Sequence, residues 1–540
     1  MEKKSTRIAY LVACAAVVVL LVILGIHFKG VAGPTFMEDG EPVEFSSPFA
    51  GTFWSLLPPI VAIVLALISK EVYSSLFFGC LVGALLYTQF APWDTVVALI
   101  GADYGIISVL ADSYNMGIIA FLVMLGIMVD LMNKSGGSEA FGRWATKTVK
   151  TRTGAQLLTM LLGVLIFVDD YFNCLTVGAV MRPVTESHKI SRAKLAYIID
   201  ATAAPVCMIA PVSSWAAAVS GYVNSDSVNG FAMFIRQIPY NYYCLLTLVM
   251  IIVISILNLD YGPMLTHEYN AQVKDDLFTT EHRPFAGADD YEKPAKGKGS
   301  VLDLLLPVIV LIVACIIGMI YSGGFWDPEA DGFKSFESVP NGFIQMVSPI
   351  MILTLAWTLC SFTRFALGSK FFVVNALANA EGLKTFLPAV IFVIGCAIGF
   401  ATGTSWGTIG IMAPIVVSVF DYTNPAESTL CVIGLAAACA GGVCGDHCSP
   451  ISDTTIMASA GAHCYHLNHV FTQIPYALTV VGVSFVMFIL AGLIQNWIVC
   501  LVIGIALMIA VLVVIKIIVS KKHAGVFAEM RKADEALRKA

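Results

Sequence analysis

Charge is scarce in this sequence. Only 13% of the 540 residues are Asp, Glu, Lys or Arg, whereas 58% are hydrophobic. Soluble globular domains have about 25% charged residues, so this composition excludes an ordinary soluble protein and indicates a chain that lies in lipid. Alternating strand patterns do not dominate, which argues against a membrane β-barrel. The net charge of −6 is small and no basic stripe is present, so nucleic acid is not an expected partner.

Motifs for cofactors and catalysis are also missing. Most of the 14 cysteines lie inside apolar runs, where cysteine behaves as a small hydrophobic residue, so no disulfide framework is expected. The run Cys444-Gly-Asp-His-Cys448 contains possible zinc ligands, but its spacing does not match the paired motifs of zinc sites. We expect His463, His466 and His469 to form a polar turn before the last helices. No nucleophile–base pair is evident, so neither an enzyme nor a bound cofactor is predicted.

The apolar runs are numerous enough for a protein that crosses the membrane many times. Several approach or exceed the roughly 18 residues that a spanning helix needs. They fall near residues 8–28, 54–69, 72–90, 117–132, 153–168, 193–222, 240–258, 302–321, 344–362, 386–400, 428–460, 473–494 and 497–519. We interpret residues 8–28 as a retained first helix, since this run is long for a signal peptide.

Charges in the connecting segments predict the orientation. The basic start of the chain and the basic tail after Lys521 place both termini in the cytoplasm, so the cytoplasmic (inner) membrane is the expected location. The acidic segments 37–44 and 322–343 suit the outer face. The basic residues Arg192 and Lys194 are expected in a solvated cytoplasmic loop. The tail itself fits either a short amphipathic helix or a solvated end.

The most informative pattern is a repeat of polar interruptions, separated by roughly 230 to 240 residues. In the first half the interruptions are Phe167-Val-Asp-Asp-Tyr-Phe-Asn173, Met181-Arg-Pro183, Ala210-Pro-Val-Ser-Ser214 and Gln237-Ile-Pro-Tyr240. In the second half they are Ala401-Thr-Gly-Thr-Ser-Trp406, Met412-Ala-Pro414, Ser449-Pro-Ile-Ser-Asp453 and Gln473-Ile-Pro-Tyr476. Matching carboxylates and Gly/Pro breaks in two hydrophobic halves are typical of secondary transporters, whose substrate site lies where broken helices meet.

Short apolar pieces flank two of these interruptions. Pieces of about 12 to 16 residues lie on either side of 169–173 and 401–405, and they suit re-entrant hairpins, since a full span takes about 20 helical residues. The runs 193–222 and 428–460 are too long for one simple span, and we expect both to be unwound at their centres. The backbone breaks are assigned to Pro211, Gly403, Gly441, Gly442, Gly445 and Pro450.

The same interruptions supply candidate ligands for a small cation. Asp169 and Asp170 are adjacent inside apolar sequence, and carboxylates at membrane depth are costly unless they have a function. The alternative is a loop end at the membrane surface, where both carboxylates are wet. Hydroxyl and amide oxygens are suitable neutral ligands for a hard cation. The candidate set is Asp169, Asp170, Asn173, Thr176, Thr402, Thr404, Ser405, Asp446, Ser449, Ser452, Asp453 and Thr454, with Na+ assigned to Asp453, Asp446 and Asp169. Asp200 is a possible coupling residue.

The polar segments also divide the chain. We expect an N-terminal transmembrane helix and outer loop at 1–53, followed by a first transporter repeat at 54–258. A polar linker at 259–300 leads to a second repeat at 301–494. Residues 495–540 would form the last transmembrane helix and the cytoplasmic tail. The polypeptide is expected to work as a homodimer.

Four of these motifs resemble the NhaC-type Na+/H+ antiporter family, over a region from about 54 to 494. They are Phe167–Asn173, Gly403–Thr408, Met412–Pro414 and Gly445–Thr455. The resemblance implies an all-α polytopic membrane protein of the ion-transporter type, with two inverted repeats that each hold a re-entrant hairpin and a broken helix. It also implies an elevator-like motion. The family's acidic and hydroxyl positions match Asp169, Asp170, Asn173, Asp446, Ser449, Ser452, Asp453 and Thr454.

The predicted function is therefore secondary active exchange of Na+ for H+. Members that look alike differ in cargo, so the alternative is a Na+- or H+-coupled carrier or exchanger of a small organic acid (malate/lactate type) or an amino acid. In that case Trp215 and Trp406, beside two of the polar breaks, would line an organic pocket. A channel is disfavoured because it needs no repeated half-site of interrupted helices.

The carboxylate at position 453 distinguishes the second half, because the aligned residue of the first half is Ser214. Asp453→Asn should abolish Na+-dependent proton movement into vesicles, since an amide neither carries the charge nor exchanges the proton. Reconstituted protein and a pH-sensitive dye measure this flux. Retained exchange would remove Asp453 from the site.

Overall fold

The architecture follows from a computed structural model that is almost wholly helical. It describes residues 2–38, 41–69, 72–101, 103–113, 148–223, 229–281, 384–420, 422–450 and 452–539, with shorter stretches and single positions between 115 and 144 and between 306 and 372. The predicted spans at 117–132, 302–321 and 344–362 lie mostly outside the described residues. The same is true of the acidic segment 322–343.

The described helices of the first half begin with the predicted N-terminal segment. They are α1 Glu2–His27, α2 Leu57–Ser69, α3 Val72–Tyr87, α4 Pro92–Ile100, α5 Ile106–Ala111, α6 Arg152–Leu165, α7 Asp170–Ser187, α8 Arg192–Thr202, α9 Ala204–Cys207, α10 Ser214–Val223, α11 Gly230–Gln237, α12 Tyr242–Leu257 and α13 Pro263–Val273. Short 3₁₀ turns precede α2 and α12, at Phe53–Leu56 and Ile238–Tyr240.

The described helices of the second half are longer. They are α14 Leu387–Thr402, α15 Ser405–Val419, α16 Pro425–Cys448, α17 Asp453–Gly461, α18 His466–Ile494, α19 Trp497–Lys522 and α20 Ala524–Lys539, preceded by a π-helical turn at Ser361–Ala366. Within the described ranges, three helical segments are long and apolar enough to cross a membrane: Glu427–Cys448, His466–Ile494 and Trp497–Lys522. The pair Gly230–Tyr240 and Tyr242–Leu257, bent by 44°, is a fourth candidate.

A small β-hairpin corrects the expectation of a purely helical fold. Strands β1 Thr35–Glu38 and β2 Glu41–Glu44 pair antiparallel, with Thr35 opposite Glu44. The Phe36 ring stacks on Phe371, with centroids 4.6 Å apart, which anchors the hairpin to the helices. The sequence carried a signal for it, because Asp-Gly is a strong hairpin dipeptide and stands at positions 39 and 40.

Helix–break–helix units stand where two of the polar interruptions were found. Helix α6 ends at Leu165 and α7 begins at Asp170, while α14 ends at Thr402 and α15 begins at Ser405. The residues before the second helix of each unit share one backbone conformation, with φ −150° and ψ 134° at Asp169 and φ −150° and ψ 126° at Thr404. Gly403 has φ +68°, a left-handed conformation that favours glycine and ends α14.

The two long apolar runs are also interrupted, and in the second the predicted break at Pro450 is present whereas the predicted breaks at the three glycines are not. Helix α8 ends at Thr202, and after the single turn α9 the chain runs without helix to Ser214. Ser213 caps α10, because its Oγ accepts a hydrogen bond from the Ala216 N–H at 3.1 Å. Helix α16 continues to Cys448, and the break is confined to residues 449–452, around Pro450. Ser452 then caps α17 by accepting from the Thr455 N–H at 3.3 Å.

The prediction that Gly441, Gly442 and Gly445 unwind the backbone was wrong. All three lie inside the continuous helix α16. Gly441 and Gly445 allow close packing against α14: a Cβ at Gly445 would stand 2.4 Å from the Cys396 carbonyl oxygen, and one at Gly441 would stand 2.6 Å from that of Phe392. Gly442 faces α15, where a Cβ would stand 2.8 Å from the Ile409 side chain. Glycine therefore lets two helix backbones touch here, a use that composition does not distinguish from helix breaking.

The two halves pack crosswise. Helix α7, the second arm of the first helix–break–helix unit, lies against α17 of the second half. Helix α15, the equivalent arm in the second half, lies against α10 of the first half. The first contact is very close, since a Cβ on Gly178 would meet the Gly461 backbone at 2.4 Å. The second arm of each unit thus packs against one segment of the broken helix in the opposite half.

Helix α13 fills the start of the segment predicted as a polar linker, and residues 282–300 of that segment lie outside the described ranges. Its Glu268 side chain is buried, pairs with Arg152 and accepts from the Ser191 N–H at 2.8 Å. The tail forms the helix α20, which packs against α13.

The expectation of a solvated loop for Arg192 and Lys194 was wrong. Both side chains are buried at the start of α8. Lys194 Nζ lies 2.6 Å from Asp260 Oδ1, and Arg192 pairs with Glu186. Buried charges need such partners, and Asp260 is too far along the chain for the sequence to reveal it.

The crosswise contact predicts an effect on stability. Gly178→Ala should lower the melting temperature of the detergent-solubilised protein, because the new methyl group has no space against the Gly461 backbone and overpacking costs about 1–3 kcal/mol. The control is Gly482→Ala on α18, where a Cβ meets nothing within 4 Å. Equal melting temperatures for the two variants would contradict the close contact of α7 with α17.

Candidate functional site

Four helices begin at the polar interruptions, and contacts between them bring their first turns together. Their first residues are Asp170, Ser214, Ser405 and Asp453. The Ser214 N–H donates to the Val168 carbonyl at 3.0 Å, which joins the two breaks of the first half. The Trp215 and Trp406 rings, at the starts of α10 and α15, lie 4.3 Å apart between centroids. The Cys174 thiol of α7 contacts the Thr454 carbonyl of α17 at 3.6 Å.

At this convergence, free N–H groups at the helix starts and free carbonyl groups at the helix ends lie close to the same site. The N-terminal N–H groups of a helix favour negative charge, whereas the carbonyls at a helix end are suitable cation ligands. Here α7, α10, α15 and α17 begin close to where α6, α8, α14 and α16 end. A site between such helix ends holds both ionised carboxylates and a cation, as in secondary transporters with broken helices.

The adjacent carboxylates Asp169 and Asp170 have different partners. Asp169 Oδ1 accepts from the Phe172 N–H at 2.9 Å and so caps α7. Asp170 Oδ2 accepts from the Trp215 indole N–H at 3.1 Å, across to the first turn of α10. The side chains are 3% and 1% exposed, so neither is wet in the way that a loop end at a membrane surface would be. The Asp170 carboxylate therefore contacts another helix start, α10, whereas the Asp169 carboxylate caps its own helix, α7.

Asp446 lies opposite, in the last turn of α16. Its Oδ2 accepts from the Ser405 hydroxyl at 2.6 Å and from the Thr454 hydroxyl at 3.4 Å. Three elements of the second half therefore meet at one carboxylate oxygen. The residue is 3% exposed, so the carboxylate is screened from solvent and its interactions are strong.

Asp170 lies within electrostatic range of both Asp169 and Asp446, and both neighbours repel it. Three buried carboxylates in one place cannot all stay ionised without compensating positive charge, because desolvation and repulsion add. A proton or a bound cation supplies that charge. The arrangement is thus suited to binding one or the other.

Asn173 has a largely structural role. The two N–H groups of its amide lie within hydrogen-bond distance of three carbonyl oxygens, those of Gly163 at 2.7 Å, Ile166 at 2.9 Å and Thr202 at 3.2 Å, so one N–H is shared between two acceptors. These acceptors belong to the end of α6, the break after it and the end of α8. Its Oδ1 is buried and has no hydrogen-bond partner within the described part of the chain, so the oxygen remains available as a ligand.

The remaining candidates divide into residues near the carboxylates and residues that satisfy the backbone. Ser405 and Thr454 are the hydroxyls that contact Asp446. Ser449 donates to the Phe400 carbonyl at 2.8 Å, and Ser452 caps α17. Thr176 is buried within α7, and Thr404 stands before α15 without a side-chain cap. The side chains of Thr402 and Asp453 lie outside the described part of the structure.

A second buried polar cluster involves residues that the sequence interpretation assigned elsewhere. His469 lies within α18, not in a turn, and its Nε2 is 3.2 Å from Asp200 Oδ2. His447, next to Asp446, lies 3.9 Å from the same oxygen through its Nε2. One feature of the sequence pointed to this cluster. Gln473 belongs to the repeated Gln-Ile-Pro-Tyr motif, and its side chain also contacts Asp200, at 3.1 Å.

Comparison with known proteins identifies the family. The model of the Na+/H+ antiporter family matches residues 206–326 and 333–493, slightly more than half of the chain. A protein of Haemophilus influenzae (strain ATCC 51907 / DSM 11121 / KW20 / Rd), named only as an uncharacterized protein, is 36% identical, with 84% of this chain and 92% of that protein covered. A crystal structure of the YdaH transporter of Alcanivorax borkumensis has 13% sequence identity and a TM-score of 0.45, covering 90% of this chain and 98% of that one.

The long apolar helices, the buried carboxylates between broken helices and the family match agree with one another. The chain is a multi-pass membrane protein and a secondary transporter, and it belongs to the Na+/H+ antiporter family.

Proposed function

We propose that the protein exchanges Na+ for H+ across the cytoplasmic membrane. The ion site is formed by Asp170 and Asp446 with the hydroxyls of Ser405 and Thr454. The observation that carries the proposal is the meeting of α7, α15, α16 and α17 at these side chains, with both carboxylates almost fully buried.

The chemistry of the ligand set suits Na+. Na+ is a hard cation that prefers oxygen ligands, and the site offers carboxylate and hydroxyl oxygens. Asn173 contributes a buried amide oxygen without a partner within the described ranges. Asp453 begins α17 directly after Ser452, whose hydroxyl lies 3.1 Å from that of Thr454, and this neighbourhood in the chain supports a role for Asp453 among the ligands. We assign Asp453 to the same set.

Exchange follows from charge balance. The repelling carboxylates need compensating positive charge, and either Na+ or a proton provides it. When Na+ binds, protons leave, and when Na+ leaves, protons return. Competition for the same oxygens therefore couples the two fluxes without a separate relay between distant sites.

Alternating access would depend on the structural similarity of the two halves, which allows the site to open to either side of the membrane. The crosswise packing of α7 on α17 and of α15 on α10 supports two repeats of opposite orientation, with the helix–break–helix units as re-entrant hairpins. In this proposal both units and both broken helices carry the ion as one body, in an elevator-like motion. The rest of the membrane helices would serve as the scaffold.

A second candidate function is coupled transport of a small organic acid or amino acid. Two buried groups beside the ion site favour it: the Trp406 indole nitrogen and the Ser214 hydroxyl have no hydrogen-bond partners in the described ranges. Both are donors near helix N-termini, where a carboxylate of the cargo would be stabilised. In this case the cation site would drive the uptake of the acid.

The ion site is tested by Asp446→Asn in proteoliposomes. Na+-driven proton movement should fall at least about tenfold, a loss of ~1.4 kcal/mol or more, because the amide binds neither the proton nor the charge of Na+. A pH-sensitive dye inside the vesicles reports the flux. Asp94→Asn, at an exposed position in the first turn of α4, is the matched control. Unchanged flux in the Asp446 variant would exclude this site.

Trp406→Phe separates the two candidate functions. The phenyl ring keeps an aromatic contact with Trp215 but lacks the indole N–H. If an acid is the cargo, the uptake of labelled malate, lactate or an amino acid should require several times more substrate, since a buried donor is lost. If the protein exchanges only ions, Na+-driven proton flux should remain within about twofold of the unmodified protein. Loss of ion exchange with folded protein would contradict both assignments of Trp406.

A further inference from the structure

A buried acid–imidazole cluster lies beside the ion site but does not belong to it. Asp200, in the last turn of α8, is 1% exposed. Its Oδ2 accepts from the Thr455 hydroxyl at 3.0 Å, from Gln473 Nε2 at 3.1 Å and from His469 Nε2 at 3.2 Å. All three donors come from the second half of the chain. One carboxylate oxygen of the first half therefore holds α17 and α18 together.

His447 extends the cluster toward the ion site. Its Nδ1 lies 2.7 Å from the Tyr243 hydroxyl, and its ring is nearly parallel to that of Tyr197, at 15° and 6.2 Å. Gln473 Nε2 also donates to the His447 carbonyl at 2.6 Å. Since His447 follows Asp446 directly, the cluster and the ion site share the last turn of α16.

Some polar atoms of the cluster have no hydrogen-bond partner among the described residues. His469 Nδ1, His447 Nε2 and Gln473 Oε1 are buried and lack hydrogen-bond partners within the described ranges. A buried polar atom without a partner loses its hydration and gains nothing in return, so three of them around one carboxylate are unfavourable for a purely structural network. The Nε2–H of His469 already donates a hydrogen bond to Asp200. Its Nδ1 is therefore the atom at which a proton can be added without breaking that bond.

Charge balance favours such an addition. Of the described charged groups, only the two imidazoles lie within ion-pair distance of Asp200. The titratable groups near Asp200 are Cys174 on α7, His447 on α16 and His469 on α18, and Tyr197 on α8 and Tyr243 on α12 contact the His447 ring. None of them is a permanent cation. Among these groups, only a protonated imidazole supplies positive charge to an ionised Asp200.

We propose that Asp200 and His469 form a proton-binding pair, separate from the ion site, that controls the position of the first turn of α17. The inference rests on the proposed Na+/H+ exchange and adds a proton-sensitive regulatory site to it. Protonation at His469 Nδ1 puts a positive charge on the donor ring, so the hydrogen bond from Nε2–H to the Asp200 carboxylate becomes an ion pair. Thr455 shares the acceptor oxygen, so its bond weakens when the ion pair forms.

This exchange of partners reaches the ion site through a single residue. Thr455 follows Thr454, whose hydroxyl contacts Asp446. A change at Thr455 moves the ligand-bearing start of α17, and with it the affinity for Na+. Proton uptake at His469 therefore alters Na+ binding although His469 contacts no ion ligand.

The experiment measures Na+-driven proton flux between about pH 5 and 8, the range over which histidine changes charge. His469→Gln keeps a donor for Asp200 but takes up no proton. Thr455→Val leaves the acid–imidazole pair intact and removes its link to α17. Both variants should lose one inflection of the pH profile while retaining flux at the pH of maximum activity. His523→Gln, at the end of α19, is the matched histidine control and should keep the full profile. An unchanged profile in His469→Gln would overturn the proposal.

A second measurement separates this inference from the proposed function. NMR of the ¹⁵N-histidine-labelled full chain follows the titration of each imidazole. The signal absent from His469→Gln should titrate in the unmodified protein, shift in Asp200→Asn and persist in Thr455→Val. Absence of any Na+-driven proton flux in the unmodified protein would refute the proposed exchange and leave this titration intact. A His469 signal that does not titrate, or that ignores Asp200→Asn, would refute the proton-binding pair.

Discussion

The burial of negative charge in an apolar interior is the constraint on which the site depends. Asp170 and Asp446 come from different halves and are almost completely screened from solvent. An ionised carboxylate in such surroundings is stable only with hydrogen-bond donors and compensating charge. The donors come from Trp215, Ser405 and Thr454, each in the first turn of a helix. The helix breaks therefore exist to bring donors to the carboxylates.

Close packing of small residues makes this convergence possible. Gly178 lies against Gly461, and Gly441 and Gly445 of α16 lie against α14, with no space for side chains at either contact. Helices in lipid gain little from the hydrophobic effect against one another, so backbone contact and interhelical hydrogen bonds provide much of their association. Large apolar side chains cover the remaining faces. The polar site is thus held between tightly packed backbones.

The sequence predicted the location of the breaks better than their cause. Proline and hydroxyl residues at matching places located the interruptions near 169, 211, 404 and 450, because caps and missing donors act locally. The α16 glycines misled the interpretation, since glycine serves both unwinding and close contact. The buried pairs of Lys194 with Asp260 and of His469 with Asp200 join residues distant in sequence. A single sequence carries no trace of such partners, so these charges seemed to belong in loops and turns.

The amide of Asn173 restricts how the transporter can rearrange. Its one nitrogen joins the end of α6, the following break and the end of α8 through contacts with three carbonyl oxygens. The amide has two hydrogens for the three acceptors, each full hydrogen bond contributes about 0.5–1.5 kcal/mol, and these contributions would be lost together if the segments separated. The Asn173 amide therefore holds these three segments together, and this junction is not suited to be a hinge. As long as these contacts are kept, the end of α6, the break and the end of α8 move together, and Asp169 and Asp170 keep their distance from α8.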